Sequence, residues 1–558
     1  MLLDDLDLSS ITDERMRTVI VRLLNIIADQ ATALREAQAE IQRLRDDINR
    51  LKGEQGKPDI KPPTPPSPPA NYSSEPERHR RVERGKRGKR APIQIDREEP
   101  LTVDPATLPP DAIFKGYEDV IVQDILIRTD NVRFRKEVWY APSTKQSYRA
   151  PLPPGYVGEF GPGIHALVVV LAYGCLVSEA KIRDLLTNVG VQIADGTISN
   201  LLIKEQDRFH TEAAAVLQAG LASSPWQQID DTSTRVNGQN QHCQIICNPL
   251  YSSYHTTVSK NRLSVLDVLR GGYPRVFRLN AEALRLLEQV KLAPATRAKV
   301  VLLPWDVDVD EATLTVLLTT HLPQLGAQAR KWIMDALAVA AYHAQTIYPV
   351  VQLLVCDDAP QWAWLTEAIG GCWVHEGRHY KKLTPWVAAH QQALDAFLHE
   401  FWSFYDDLLA YREQPTDAER VRLVAAFDSL VATTTDYWAL NERIAKTRAR
   451  KTVLLAVLEH PEIPLHNNAA ELAARQRVRK RDVSFGPRTI DGAQAWDTFQ
   501  SLADTTRKLG ISFYHYIHDR IRGDDQIPPL AEVIAERAEE WNLGASWAPA
   551  SEHPAFLS

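Results

Sequence analysis

Apolar residues near the start of the chain recur in alternating steps of three and four: Met16, Ile20, Leu23, Ile27, then Leu34, Ala37, Ile41, Leu44, Ile48 and Leu51, with Gln30 the one polar member. A period of about 3.5, sustained over roughly five heptads, keeps an apolar seam facing a partner helix and predicts a coiled coil. Gln30 would set its register. The alternative is an amphipathic helix lying on its own domain. Gly53 to Asn71, GEQGKPDIKPPTPPSPPAN, is a proline-rich spacer of polyproline character. From Lys115 the pattern changes to β-branched runs, GYEDVIVQDILIRT and VRFRKEVWYAPSTKQSYRAPLP, which predict the short strands of a small β module.

From Gly163 the period becomes helical. VSEAKIRDLL (Val177–Leu186), a break at Asn188 to Gly190, and IADGTISNLLIKE form two short helices about a turn, the second opening near Asp195 and Thr197. This is the layout of a helix-turn-helix, which would offer Thr197 and Ser199 to DNA, although helix pairs in ordinary bundles share it. After Pro225 three strands are predicted, one ending near Asp230, then His242 to Asn248 and Tyr254 to Ser259, separated by NGQN and NPLYSS. Val350 to Val355 reads as a strand buried on both faces, running directly into Asp357 and Asp358; a short helix and a further strand, GGCWVHEGRHYKK, follow. Asn467 and Asn468 would cap a helix, AAELAARQRVRKR, that carries Glu471 in its first turn. AEVIAERAEEWNL predicts a terminal helix after Asp524.

Composition narrows the class. The 558 residues exceed one core, and 44% hydrophobic with 24% charged residues is ordinary for a folded, soluble chain. Five cysteines without a CxxC pair make neither a disulfide framework nor a four-cysteine zinc module. The acidic start, MLLDDLDLSS, is unlike a signal peptide, and the longest apolar run, Ile164 to Val177, is too short to span a bilayer. A cytoplasmic, nucleoid-associated, prokaryotic protein without membrane contact is expected. Net charge is −7, yet Arg78, Arg80, Arg81, Arg84, Lys86, Arg87, Lys89 and Arg90 crowd one arm with a single acid, Glu83. A basic tether on an acidic body suggests a segment that tracks phosphate.

The candidate chemistry lies in the acids. Carboxylates at the carboxyl ends of central strands stand where open α/β sheets place their sites, and hard divalent cations seek charged oxygens. Asp230 with Asp231 and Asp357 with Asp358 are two such pairs, and either residue of the second could be capping a helix instead. Glu471 has Arg475 at i+4, ordinarily a surface ion pair. The same segment concentrates Arg475, Arg477, Arg479, Lys480, Arg481 and Arg488, the positive charge a phosphodiester substrate requires. Cys372, His375 and His379 have ligand-like CxxHxxxH spacing, but a strand would point alternate residues to opposite faces; His375 beside the acids is the preferred reading. Cys243 and Cys247 share a strand face as buried thiols. Trp226, Trp362, Trp364, Trp373 and Trp386 read as core or base-stacking residues, and no glycine-rich phosphate loop supports ATP dependence.

IDDTSTRVNG, the element containing CWVHEGRHYKKL, NNAAELAAR with its arginine-rich continuation and FGP, and LGISFYHYI occur in an order that resembles transposases of the insertion-sequence sixty-six family. DDAPQW resembles a branch of that family with an added helical insertion. The resemblance runs from about Asp96 to Ile517. It implies a multidomain α/β protein with a ribonuclease-H-like mixed sheet and a DDE triad of Asp230, Asp357 and Glu471. These acids would hold two Mg2+ (or Mn2+) ions for strand cleavage and transfer, with Asp231, Asp358, His375, Asn468 and Arg475 around them. Asp358 competes with Asp357 for the second place. DNA contacts would come from the basic arm, Thr197, Ser199, Arg479, Lys480 and Arg481. The partners would be transposon terminal inverted repeats, target DNA, a second copy through the coiled coil, and accessory transposition proteins.

Two departures from the family stand out. Where members often carry a cysteine-rich zinc module, Glu98 to Pro153 has no cysteine, so no zinc is expected; and His466 replaces the usual Asp before NNAAE. The expected division is a coiled coil (1–52), Pro-rich and basic linker (53–97), β module (98–160), helix-turn-helix-like helices (161–215), core segments 216–275, 349–385 and 461–522, helical insertions 276–348 and 386–460, and a C-terminal helix and tail (523–558). The separations of 127 and 114 residues between the three acids are accounted for by those insertions. The competing function is a catalytically decayed or accessory-dependent DNA-binding protein derived from a transposase.

Overall fold

The computed structural model describes residues 13–51, 93–109, 111–156 and 158–544. The proline-rich spacer, the basic arm Arg78–Arg90, the tail beyond residue 544 and the side chain of Leu51 lie outside the described residues. No described helix is long and apolar enough to cross a membrane.

The first helix, α1 (Glu14–Leu51), divides its surface between two tasks. Leu24 and Ala28 are buried, and Leu24 packs with Ile20 and Val21 against Val387 and Ala389 of the same chain. The Asn25 amide donates to the Asp436 carbonyl and accepts from the Trp438 backbone, each at 2.9 Å, while Arg35 stacks over Trp386 at 4.4 Å. The amphipathic-helix alternative therefore describes the N-terminal half. The heptad seam shares only Ile20 with this contact, and Met16, Leu23, Ile27, Leu34, Ile41, Leu44 and Ile48 remain exposed on it.

The β module is largely absent. Among its described residues only β1 (Val138–Ala141) and β2 (Gln146–Arg149) pair, as a hairpin, and GYEDVIVQDILIRT forms no strand. High β-propensity is not sufficient when no neighbouring strand supplies hydrogen-bond partners. Next come α2 (Pro162–Val169), α3 (Glu179–Asn188), α4 (Asp195–Ile203) and α5 (Asp207–Ala222), with α3 and α4 at the expected helix pair.

The central sheet contains β3 (Trp226–Val236), β4 (Gln239–Cys247), β5 (Ser252–Thr257), β6 (Leu353–Cys356) and β7 (Ala368–Gly371), in the order β5-β4-β3-β6-β7. β5, β4 and β3 are antiparallel; β3, β6 and β7 are parallel. Contrary to expectation, β3 does not end near Asp230 but continues to Val236. Its hairpin turns only at Asn237 and Gly238, whose positive φ angles of 50° and 75° suit a two-residue turn. CWVHEGRHYKK is another correction: the strand stops at Gly371 and Trp373–Lys381 is a helix, α11 below.

Helices cover both sheet faces. α6 (Arg262–Leu269) precedes the first insertion, which α7 (Ala281–Gln289), α8 (Pro294–Val300), α9 (Glu311–His321) and α10 (Ala327–Ala344) fill, and these helices share a core with Ile229, Ile246, Leu354 and Cys356. On the other face α11 (Trp373–Lys381), α12 (Ala388–Glu413), α13 (Asp417–Ala432), α14 (Trp438–Ala449) and α15 (Lys451–Leu454) pack an aromatic core around Trp373, Tyr380 and Phe401 against Trp226, Leu353 and Val355. α16 (Asn468–Ser484) completes that face through Ala473 and Ala474, and α17 (Ile490–Lys508) lies along the sheet edge with its apolar residues in the first core. Ser252, Tyr254 and Thr256 donate their backbone N–H groups to Thr505, Ser501 and Asp497 of α17 at 3.2, 2.9 and 2.6 Å. One helix stripe thus covers the edge strand β5, which would otherwise offer a free ladder. α18 (Phe513–Arg522) and α19 (Leu530–Trp541) follow.

The second insertion is tied to α11 through Glu376, which is fully buried. Its carboxylate accepts from Arg443, from Arg450 at 2.6 Å and from Thr447 at 2.5 Å. A buried carboxylate with two guanidinium partners loses little only while every partner remains. Glu376→Ala should destabilise the fold by about 3–5 kcal/mol, because it strands two arginines; an unchanged thermal midpoint in calorimetry would show that the cluster does not anchor α11.

Candidate active site

Strand parity decides which acids can meet. Asp230 lies opposite Ile245, and the face it shares with Cys243, Ile245 and Tyr254 packs against Ala473 and Ala474 of α16. β3 and β6 pair in parallel up to Gln228 and Val355, so Asp230 and Asp357 each follow two residues further on the same face. Asp231 has the opposite parity. It meets Gln361 at 3.0 Å, Lys260 at 3.7 Å and His242 at 4.0 Å.

Glu471 reaches this face because the chain before α16 is sewn to the sheet. The Asn467 amide donates to the Ile229 carbonyl at 2.7 Å, the Gln228 amide to the His466 carbonyl at 3.3 Å, and the Trp373 N–H to the Leu465 carbonyl at 2.9 Å. Asn467 and Asn468 stand at the start of α16 as expected, but Asn467 forms no side-chain cap and Asn468 is buried with its amide nitrogen unsatisfied.

Each carboxylate is held through one oxygen. Asp230 Oδ1 accepts from the Asp231 N–H at 2.8 Å. Asp357 Oδ1 accepts from the Trp362 indole at 2.6 Å and the Ala359 N–H at 3.1 Å. Glu471 Oε2 accepts from Arg378 at 3.2 Å, while its buried Oε1 has no hydrogen-bond partner. DDAPQW is thereby explained locally: Trp362 orients Asp357 and Gln361 holds Asp231. Burial, reinforced by Asp357, Glu471 and Asp231, raises Asp230 to about 7 although its backbone hydrogen bond acts the other way. Asp358 turns away to His379 at 3.1 Å, and that imidazole, with Arg450, holds its carboxyl below the usual range despite partial burial.

Arg378 is the residue the sequence reading missed. On α11 it sits one turn beyond His375 and donates to His375 Nε2 at 3.0 Å as well as to Glu471. Arginine can only donate, so Nε2 accepts and a neutral His375 carries its proton on Nδ1, 3.5 Å from Glu471 Oε1. Burial holds His375 below its ordinary pKa. A helical i, i+3 reading of HEGR would have put both side chains on one face; the strand assignment concealed it.

Cys372, His375 and Glu471 bring one ligand atom each within 4.8 Å of one another. Alternation along a strand is not a valid objection to a metal there, since His375 is helical. The chemistry supplies a better one: burial raises the Cys372 thiol to about 11, and His375 presents N–H rather than a lone pair. His379 faces Asp358 instead. The three carboxylates are the better cation ligands, offering hard oxygens with one oxygen of each outside these hydrogen bonds.

The basic run on α16 splits by helix face. Arg475 and Arg479 are exposed, and Arg481 donates to Ser233 Oγ at 2.9 Å. Arg477 is wholly buried with Asp497, and Lys480 is buried, donating to the Val177 carbonyl at 3.1 Å beside Tyr173 and Trp496. Neither can reach a phosphate, which corrects the expectation for Lys480. Burial lowers Lys480 to about 8. In the helix pair, Thr197 and Ser199 are half-buried and Ser199 hydrogen-bonds Glu179.

In the metal-free protein Asp230 keeps its proton to about pH 7, whereas an unfolded chain releases it near 3.8. The folded state binds more protons between those values, so this group makes stability fall as pH rises from about 4 to about 7. With chelator present, Asp230→Asn should flatten that decline and raise the melting temperature at about pH 8. Identical pH slopes for variant and wild type would refute the assignment.

Residues 353–495 match the model of the Transposase IS66 family, a span that includes Asp357 and Glu471 but not Asp230. An uncharacterized protein of Sinorhizobium fredii, y4jO, is 33% identical over 334 residues, covering 58% of this chain and 100% of the rhizobial protein. The chain therefore belongs to one family with the rhizobial protein and carries a transposase domain of the IS66 family over residues 353–495.

Proposed function

We propose that the protein is a DNA transposase that cleaves and transfers strands at transposon ends through Asp230, Asp357 and Glu471. The observation that carries this reading is their convergence on one sheet face, where the charges of Asp357 and Glu471 help to raise the proton affinity of Asp230. The strand order, three antiparallel strands followed by two parallel ones, is the arrangement a ribonuclease-H-like core requires, and the IS66 match supports the reaction class.

On this reading two Mg2+ or Mn2+ ions would take Asp230, Asp357 and Glu471 as their ligands. Held by these residues, such ions would supply activation of an attacking water or 3′ hydroxyl and charge stabilisation at the leaving oxygen. The chain's own contribution is placement. Trp362 and Ala359 fix the Asp357 carboxylate, Arg378 fixes Glu471, and the Asp231 N–H fixes Asp230. Arg378, half exposed, also sets a positive charge at the rim. DNA would be gathered by Arg475, Arg479 and Arg481, by the helix pair with Thr197 and Ser199, and by the basic arm. A second copy would pair along the exposed heptad seam of α1. The same reading assigns the protein to a branch with a DDAPQ element and no zinc module, and it includes accessory transposition proteins.

The decisive assay is Mg2+- or Mn2+-dependent cleavage and joining of DNA bearing the element's flanking inverted repeats. Asp230→Asn, Asp357→Asn and Glu471→Gln should each lower the rate at least about a hundredfold without weakening DNA binding. Asp231→Asn should have a much smaller effect. DNA that wild type binds but never cuts would favour the decayed or accessory-dependent alternative. In a salt titration Arg479→Ala should reduce the slope of log affinity against log salt by roughly 1, and Lys480→Met should leave it unchanged; a reduced slope for Lys480→Met would contradict its burial.

A further inference from the structure

The far end of α16 carries an aromatic ring that the fold does not bury. Phe485 is 85% exposed and occupies the C-terminal cap of the helix in the left-handed region, at φ 59° and ψ 4°. That position ordinarily takes glycine or asparagine, because a Cβ there crowds the backbone. Here glycine comes one residue later and is required for another reason. Gly486 has φ 99°, and a Cβ on it would lie 2.5 Å from the Arg235 carbonyl oxygen. Pro487 is buried, and its carbonyl accepts from the Asn237 N–H at 2.9 Å. The loop is therefore pinned to the β3–β4 turn, and the strain at Phe485 is maintained by its neighbours rather than by burial of its own ring.

The surroundings indicate what the ring would meet. Val483 and Ile490 are exposed nearby in sequence, and Arg479, Arg481 and Arg488 supply positive charge, with Asp482 3.8 Å from Arg481 as the opposing acid. An exposed ring a few residues from several arginines matches nucleic acid, because cations follow the phosphates while an aromatic face accepts any base. A purely apolar partner would have no use for that charge. Glu471 and Phe485 are fourteen residues apart on one helix, about 21 Å at a rise of about 1.5 Å per residue. This equals about six stacked base pairs at ~3.4 Å each.

We propose that Phe485 stacks on a nucleobase extruded from bound DNA about six base pairs from the cleavage position. The spacing rests on the triad reading above; the stacking requires only that DNA is bound.

The test uses full-length protein in chelator, so that DNA is bound without being cut. The duplex carries the element's inverted repeat with 2-aminopurine placed at successive positions. Fluorescence should rise at one position, be lost in Phe485→Ala and persist in Phe485→Trp, and Phe485→Ala should bind roughly tenfold more weakly. Phe485→Gly should also lose the signal while melting at a higher temperature than wild type, which separates lost stacking from misfolding. DNA bound with no fluorescence change at any position, or a change that survives in Phe485→Ala, overturns the proposal, as does failure to bind DNA. If the signal depends on Phe485 but restoring Mg2+ yields no cleavage, stacking stands and the triad reading falls.

Discussion

Carboxylates repel one another and lose hydration when gathered against a sheet, and the region around Asp230, Asp357 and Glu471 is arranged around that conflict. Asp230 meets it by retaining a proton near neutrality, Glu471 by accepting a guanidinium, and Asp357 by accepting an indole and a backbone N–H. None of these neutralises the group completely. Burial and mutual repulsion together favour the protonated form of Asp230, the acid that both neighbours face.

The two insertions secure this arrangement from opposite sides. Asp335 of the first, buried, accepts from Arg262 of α6 at 2.8 Å, and Arg262 also donates to the Ala363 carbonyl at 2.7 Å and stacks on Trp364. That bracing steadies the loop in which Gln361 and Trp362 hold their aspartates. Glu376, locked to Arg443 and Arg450 of the second insertion, fixes α11 so that His375 and Arg378 face Glu471. Segments that lengthen the spacing between the acids in sequence thus set their distance in space.

Several elements use one face for the fold and leave another open. α1 docks through Leu24, Asn25 and Ala28 while its heptad stripe stays exposed. α16 buries Arg477 and Lys480 but turns Arg475 and Arg479 outward, ending in the exposed Phe485. Helical periodicity makes this separation possible, because side chains three or four residues apart share a face while their immediate neighbours do not.

Local pattern was enough to locate α1, the helix pair, the apolar strand before Asp357 and the asparagines that open α16, since each depends on periodicity or turn chemistry within a few residues. It also nominated Asp230, Asp357 and Glu471, the first two from their places on apolar strands and all three from motif order. Other features required the folded chain. Strand parity selects Asp230 over Asp231 for the face of Glu471, and that parity acquires meaning only once α16 is packed. The helix at Trp373 conflicts with a locally strand-like reading, and it alone brings Arg378 to Glu471. The runs after Lys115 have the composition of strands but lack partners, and Lys480 looks like a phosphate contact until its helix face is known. Spacing along a chain states which side chains are neighbours on one element; which of them meet across elements, and which lose water, is decided by packing between residues hundreds of positions apart.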